Sequence, residues 1–324
     1  MAVLTLALVL DLLLGDPRFI WRSLPHPVVL FGKVIEYFDK HRAEWNFDQL
    51  GGGEGEAEPG FTAGLVLLAM LLLLSIGVHF AIIAIGGWLG FVLELIIVGV
   101  LIAQKSMMEH VKVVIEALGH EDINKGREAV SQIVGRDVST LDKSGISKAA
   151  IESLAENFSD GVVAPALWYA VLGLPGILFC KALNTADSMI GHRTLNHEYF
   201  GKPAAILDDW MNWPAARLSS LLVMLAMVVS RGKSAAINVW EITLRDAPGH
   251  RSPNAGWPEA SFASALGIRL GGPRSYGEEV IEAVTLNPEG RSLVSVQDIN
   301  KALRLFLRAC LCLIAFCAFV WFLF

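Results

Sequence analysis

Two carboxylates stand one helical turn apart in Glu152-Ser-Leu-Ala-Glu156-Asn157-Phe-Ser-Asp160-Gly161, and Asp160 extends their line if the helix continues. Like charges at i and i+4 repel by a few tenths of a kcal/mol, and no basic residue lies between them. A bound cation would relieve the repulsion. Mg²⁺ takes one or two carboxylates plus substrate phosphates. A solvated acidic face fits the spacing equally well. The position just before an apolar run favours a functional reading.

A second polar group follows that run: Asn184-Thr185-Ala-Asp187-Ser188-Met-Ile-Gly191. Asn184, Asp187, Ser188 and Gly191 share one face of a helix, with Ala186, Met189 and Ile190 opposite. Such a stripe beside lipid is costly unless it meets protein, water or ligand; helix-to-helix hydrogen bonding is the structural alternative. Asp208, Asp209 and Asn212 come next, before Pro214 and Arg217. Arg217 is expected to take an acid as partner, with Asp208 or Asp209 nearest in sequence.

The third group, Arg245-Asp246-Ala-Pro-Gly-His250-Arg251-Ser252-Pro-Asn254-Ala-Gly256-Trp-Pro258-Glu259-Ala260, concentrates donors, acceptors and turn formers. Pro258 suits the first turn of a helix to about Leu266, with Gly267 as its stop. A helix start preceded by Gly, Ser and Arg can hold an anion, and Arg251 can clamp phosphate or carboxylate with two hydrogen bonds. Near the amino end, Gly15-Asp16-Pro17 and Pro25-His26-Pro27-Val28 place a carboxylate and an imidazole among rigid turn formers. Taken alone, these are ordinary turn signals. The chain has no G-x-x-x-x-G-K-[ST] loop, dinucleotide fingerprint, H-E-x-x-H or G-x-S-x-G.

The elements that must position these groups are apolar. Of 324 residues, 54% are hydrophobic and 18% charged, with mean hydropathy +0.51. A soluble domain is about 45–50% apolar and about 25% charged, which excludes a soluble enzyme and a disordered chain. A net charge of −6 gives no reason to expect nucleic acid. Cys180, Cys310, Cys312 and Cys317 lie in apolar runs and read as small hydrophobes. A bilayer core of ~30 Å takes about 20 helical residues. Spans are predicted at about 1–14, 61–85, 88–104, 162–183, 214–230 and 306–324. Gly86-Gly87 should turn a hairpin, and Asp11 and Pro165, Gly173 and Pro175 weaken two of the spans. Amphipathic helices are predicted over 106–119 and 122–134, and another to about Phe158 capped by Ser144. Residues 51–60 read as a flexible insert. The expected class is an all-α polytopic membrane protein forming a single membrane-embedded catalytic domain.

Residues 15–60, 105–161 and 231–305 carry 5, 7 and 9 of the 26 Lys and Arg. Positive residues mark the cytoplasm, so these loops should face it. Residues 184–213 then fall on the far side, although they hold Asp187, Asp208 and Asp209. The expected resolution is that 184–213 folds back into the protein body.

In this order the clusters resemble one family, the adenosylcobinamide-phosphate synthases of cobalamin biosynthesis (CobD/CbiB). The matching stretches are Asp11-Leu-Leu-Leu-Gly-Asp-Pro17 with Pro25-His-Pro-Val28, Glu152-Ser-Leu-Ala-Glu-Asn157 with Asp160-Gly161, Asn184-Thr-Ala-Asp-Ser-Met-Ile-Gly191, Asp208-Asp209 with Asn212 and Ala216-Arg-Leu218, and Ser252-Pro-Asn-Ala-Gly256 with Glu259-Ala260. His192 and Ser261-Phe262 depart from the family pattern, and neither change removes an acidic or amide group. The resemblance implies a ligase at the plasma (inner) membrane with its site facing the cytoplasm. It would use ATP and Mg²⁺ to join aminopropanol or its phosphate to a propionate carboxylate of (adenosyl)cobyric acid. Implied companions are membrane lipid, a second copy of the chain and other late cobalamin-assembly membrane enzymes.

Such a reaction needs metal ligands, anion donors and a base. Glu152, Glu156, Asp160, Asp187, Asp208 and Asp209 are the expected metal ligands. Asp16, Asn157, Asn184, Ser188, Arg245, Arg251, Ser252, Asn254, Gly256 and Glu259 are the expected substrate or nucleotide contacts. Glu156, Asp187 and either His26 or His250 are the expected catalytic groups. The rival reading is a solute transporter or an AmpE-like membrane protein without this chemistry. A transporter should keep its polar residues near mid-span, whereas here they crowd span ends and loops.

Overall fold

The computed structural model describes residues 1–15, 25–42, 57–191, 197–272, 274–276, 279–281 and 284–323. Twelve helices lie among them: α1 (Ala2–Leu14), α2 (Pro27–His41), α3 (Ala57–Ile85), α4 (Gly87–Leu101), α5 (Gln104–Gly119), α6 (Ile123–Ser131), α7 (Lys143–Phe158), α8 (Ala164–Ile190), α9 (Lys202–Arg231), α10 (Lys233–Asp246), α11 (Gly256–Leu266) and α12 (Val296–Leu323). Between α11 and α12, β1 (Leu270–Gly271) pairs antiparallel with β4 (Thr285–Leu286), and β2 (Arg274–Tyr276) with β3 (Glu279–Ile281). The all-α membrane class is as expected. Among the described residues, five helical stretches are long and apolar enough to cross a bilayer: Gly60–Ile85, Gly87–Gly119, Lys143–Ile190, Lys202–Arg231 and Val296–Leu323.

Several boundaries differ from expectation. Helix α1, at ~1.5 Å per residue, is about 20 Å long and too short to cross by itself. Residues 57–60 of the expected insert belong to α3. The expected start at Pro214 lies inside α9. The Ser144 cap is a correction: Asp142 caps α7, its carboxylate accepting the Gly145 N–H at 2.7 Å. Ser144 instead accepts the Val294 N–H at 2.9 Å.

The chain forms two compact units. One comprises 1–15, 103–163 and 213–324; the other comprises 16–102 and 164–212. In the first, α7 packs on α11 and α12, and α5 on α1, α6 and α12. Phe158, Phe262 and Phe306 meet at its centre, with ring centroids 6.4 and 5.5 Å from Phe158. Asp11, buried in α1, is a cap supplied from a distance. Its Oδ2 accepts the Gln104 backbone N–H at 2.8 Å and the Gln104 amide at 3.1 Å. An anion at the start of α5 suits that helix's positive end. The carboxylate that interrupts an apolar run in sequence is therefore neutralised in structure by orphan N–H groups.

In the second unit α8 packs on α2, α3 and α4. Gly86 and Gly87 take φ of 61° and 56° and turn the expected hairpin, values open to glycine at no steric cost. Tyr169 in α8 donates to Glu94 in α4 at 2.7 Å, which satisfies the lone acid of that run. Helix α8 kinks at Gly173, where φ is 66°, and Pro175 follows. The segment leading into α9 packs on its own unit. Phe200 is buried against Phe38 and carries the Arg42 guanidinium 4.4 Å over its ring. His197 and Asp39 lie 3.1 Å apart. A side chain at Gly64 would strike Phe200 O, so glycine there lets the segment close onto α3.

Candidate functional site

Helix α7 brings its two expected acids to different fates. Glu152 is 6% exposed. Its Oε2 accepts from Arg136 at 2.8 Å and its Oε1 from the Gly271 N–H at 2.9 Å. Glu156, one turn later, is exposed. Beyond Phe158 the helix widens into a π turn over Ser159–Val163. That changes the rotation per residue and takes Asp160 off the line of Glu152 and Glu156. Asn157 lines a cavity of about 380 Å³ together with Ala103, Ser106, Met107, His110 and residues 132–135. The far wall is tied to α7 twice, by Arg136 on Glu152 and by Ser153 donating to Ile133 O at 2.6 Å. Asn157 donates back to Ser153 O at 2.9 Å. The buried ion pair thus sets the position of a polar cavity wall, and the exposed acid lies beside it in sequence.

His110 is a residue that sequence spacing did not single out. Its Nδ1 lies 2.7 Å from Ser106 O, and a carbonyl only accepts, so Nδ1 carries the hydrogen. The Nε2 lone pair of the neutral ring is then available to take a proton. The two expected bases are placed otherwise. His26 caps α2 with Nδ1 accepting the Val28 N–H at 3.2 Å. His250 Nδ1 accepts the Ser252 N–H at 3.2 Å, and its Nε2 faces Glu259 at 3.9 Å. In both, the neutral ring carries its hydrogen on Nε2, and its lone pair is engaged by the backbone.

The loop before α11 is built around Ser252, whose hydroxyl accepts the N–H groups of Asn254 and Ala255 at 3.2 and 3.1 Å. Gly256 makes the turn close: a Cβ there would lie 2.5 Å from His250 Cβ and 2.7 Å from Ala247 O. Arg251 is exposed, whereas Asn254, Gly256 and Glu259 are buried. Among the described residues Arg217 pairs with no carboxylate, contrary to expectation. It donates to Trp213 O, Pro253 O and Asn254 Oδ1 at 3.0, 3.1 and 3.3 Å. It also lies 4.2 and 4.6 Å over the Trp213 and Trp257 rings. Aromatic faces and carbonyls together stabilise a guanidinium. Arg245, expected among the ligand contacts, bonds bidentately to Asp246 and to Glu289. Those carboxylates push the Arg245 pKa up, and Arg245 holds Glu289 below the usual carboxylate range.

In the second unit the α8 stripe meets the start of α9. Asp208 is the centre: Asn212 donates to its Oδ2 at 2.8 Å, the Asn184 side chain also bonds it, and the charges of Asp187 and Asp209 act on it. Ser188 donates to Asn184 O at 2.9 Å. A side chain at Gly191 would collide with the Asp187 carboxylate, so glycine leaves that acid its place. Asp208, bonded by two amides and with the charge of Asp187 acting on it, suits a Mg²⁺ site completed by phosphate and water. Among the described residues no group of three His, Cys, Asp or Glu could hold a metal by itself. The six expected ligands divide between the units, with Glu152, Glu156 and Asp160 in the first and the other three in the second. Asp16 lies outside the described residues.

Comparison with known proteins bears out the family resemblance. The profile described as CobD/Cbib protein matches residues 4–306. The chain is 48% identical over 313 residues to the Cobalamin biosynthesis protein CobD of Sinorhizobium fredii, covering 97% of this chain and 94% of that one. Against the protein of the same name from Rhodobacter capsulatus it is 41% identical over 311 residues, with 95% and 93% covered. No solved structure matches. A family match over nearly the whole chain, joined to a helical membrane architecture, makes this chain a member of the CobD/Cbib family.

Proposed function

We propose that the chain catalyses the ATP-dependent formation of an amide in cobalamin biosynthesis, between a propionate carboxylate of (adenosyl)cobyric acid and aminopropanol or aminopropanol phosphate. The observation that carries this is 48% identity, across 97% of the chain, to a protein named for cobalamin biosynthesis. The polar clusters suit the chemistry. A carboxylate does not condense with an amine in water until its oxygen becomes a leaving group. Transfer of the ATP γ-phosphoryl to that oxygen releases ADP and gives an acyl phosphate. The amine nitrogen attacks the carbonyl carbon, phosphate departs, and the nitrogen loses a proton to a base. Arg251 and the Ser252–Gly256 turn are suited to phosphate. Asp187 and Asp208 are suited to hold Mg²⁺, which offsets phosphate charge. His110, whose Nδ1 bonds Ser106 O, is the proton acceptor that the hydrogen bonding favours over His26 and His250, and exposed Glu156 is a second. Purified chain should consume ATP only when cobyric acid and the amine are both present. ATP use that ignores either substrate, or none with both, would overturn the reading.

The amine's state can be read from Arg251→Lys, which keeps the charge and loses the planar fork. A lost charged hydrogen bond is worth about 1.5–3 kcal/mol. The Michaelis constant for aminopropanol phosphate should therefore rise at least ~10-fold, with less than about a twofold change for aminopropanol. Equal changes would assign Arg251 to the nucleotide instead.

The reaction belongs at the inner membrane, with its polar groups open to the cytoplasm where ATP is. Asp208→Cys, in a background without Cys180, Cys310, Cys312 and Cys317, should react with an impermeant thiol reagent from the cytoplasmic side. Labelling from the outside only would reverse that assignment.

A further inference from the structure

A second cavity, of about 340 Å³, lies wholly within the first unit, where α9 ends, α11 ends and α12 begins. Four of its lining residues are cations: Arg231, Lys301, Arg304 and Arg308. Met227, Leu266 and Leu305 supply apolar wall. The chain builds this from two apolar helices. Arg231 is the last residue of α9, directly after its apolar run. Lys301, Arg304 and Arg308 fall at i, i+3 and i+7 of α12, one face of the turns that lead into its apolar run.

Part of that charge is already committed. Arg231 donates to Ala265 O at 3.0 Å. Lys301 lies 3.0 Å from Asp298, which is 1% exposed and also bonds Arg291 and Ser295. Arg304 and Arg308 are exposed, and among the described residues no carboxylate pairs with either. Two uncompensated guanidiniums at the edge of a hydrocarbon-spanning region are stable only in contact with water or an anion. Forked donors match phosphate geometry, and the apolar wall beside them matches what a headgroup is attached to.

We propose that this cleft binds the phosphate headgroup of an anionic lipid, with Arg304 and Arg308 as its principal ligands and Met227, Leu266 and Leu305 against the glycerol and upper acyl chain. A soluble phosphate would use the same donors and gain nothing from the apolar wall. A membrane lipid also arrives at the height where both apolar runs end. Each basic side chain near an anionic surface contributes enough to change affinity severalfold.

The test is native mass spectrometry of the full chain in neutral detergent, titrated with phosphatidylglycerol or phosphatidylcholine. Phosphatidylglycerol should bind at least ~10-fold more tightly. Arg304→Gln with Arg308→Gln should lower its affinity to the phosphatidylcholine level, and Arg304→Lys with Arg308→Lys, which keeps the charge and loses the planar fork, should leave an intermediate affinity. Binding to the unaltered chain should weaken as NaCl rises from about 0.05 to about 0.5 M, since salt screens a partly exposed site. That measurement needs no variant to fold. Equal affinity for the two lipids, a glutamine pair that binds as before, or salt-independent binding would each overturn the proposal. Displacement of phosphatidylglycerol by ~10 mM inorganic phosphate would overturn the lipid assignment and make the cleft a site for soluble phosphate.

Discussion

Glu156→Gln should reduce turnover by at least ~10²-fold, the scale of a lost acid–base group, while leaving the unfolding transition where it was. The glutamine keeps the shape of the side chain and an oxygen acceptor. It also removes the i,i+4 repulsion with Glu152, a gain of a few tenths of a kcal/mol. Exposure supports the assignment: Glu156 is exposed one turn from a buried, ion-paired Glu152, and the next residue, Asn157, lines the cavity of about 380 Å³. A purely structural acid should not concern the reaction. Measured with saturating ATP and both substrates, turnover at the parent rate would show that the charge is not needed. Lost turnover with an equally lost folded fraction would make the effect structural.

Glu152→Ala should behave in the opposite way, destabilising the chain by about 3 kcal/mol, as expected when one partner of a buried ion pair is removed. The cost has two identified sources. Arg136 is left with its charge and without the 2.8 Å carboxylate, and the Gly271 N–H loses its 2.9 Å acceptor. An unsatisfied buried donor alone costs about 1–3 kcal/mol. Turnover should fall only as the folded fraction falls, and excess Mg²⁺ should not restore it. The double change Glu152→Met with Arg136→Met separates structure from chemistry, because a buried pair replaced by apolar residues of similar volume is often neutral. Recovery of both stability and turnover would make Glu152 a positioning residue for the 132–136 wall. Recovered stability with no turnover would return it to the reacting groups.

The class of the protein and the local turns of its candidate site are legible from sequence because both depend on local chemistry. An apolar run longer than about 20 residues must be helical in hydrocarbon, where no water can satisfy the backbone. This holds for the runs within Gly60–Ile85 and Val296–Leu323 whatever they pack against. Gly86-Gly87 marks its turn through φ alone, and Gly267, in the left-handed region at φ 63°, ends α11 as the sequence predicts. The motif residues Ser252, Asn254 and Gly256 lie within one loop, so a local turn suffices to assemble them.

Partnerships between distant residues are what only the tertiary structure decides. Nothing near Asp11 in sequence announces Gln104, 93 positions away, as the donor that makes a buried acid affordable. Glu152 and Glu156 look alike as a sequence pair, yet Arg136 and Gly271 hold one buried while the other is exposed. Arg217 calls for an acid by sequence and receives two tryptophan faces and three oxygens. His26 and His250 read as bases until the backbone N–H groups of Val28 and Ser252 occupy their lone pairs, whereas His110 gives its hydrogen to Ser106 O. The physical reason is the same in each case. Side-chain type sets what a group needs, but burial and the donors that folding brings within about 3 Å determine whether that need is met by the protein or left for a ligand.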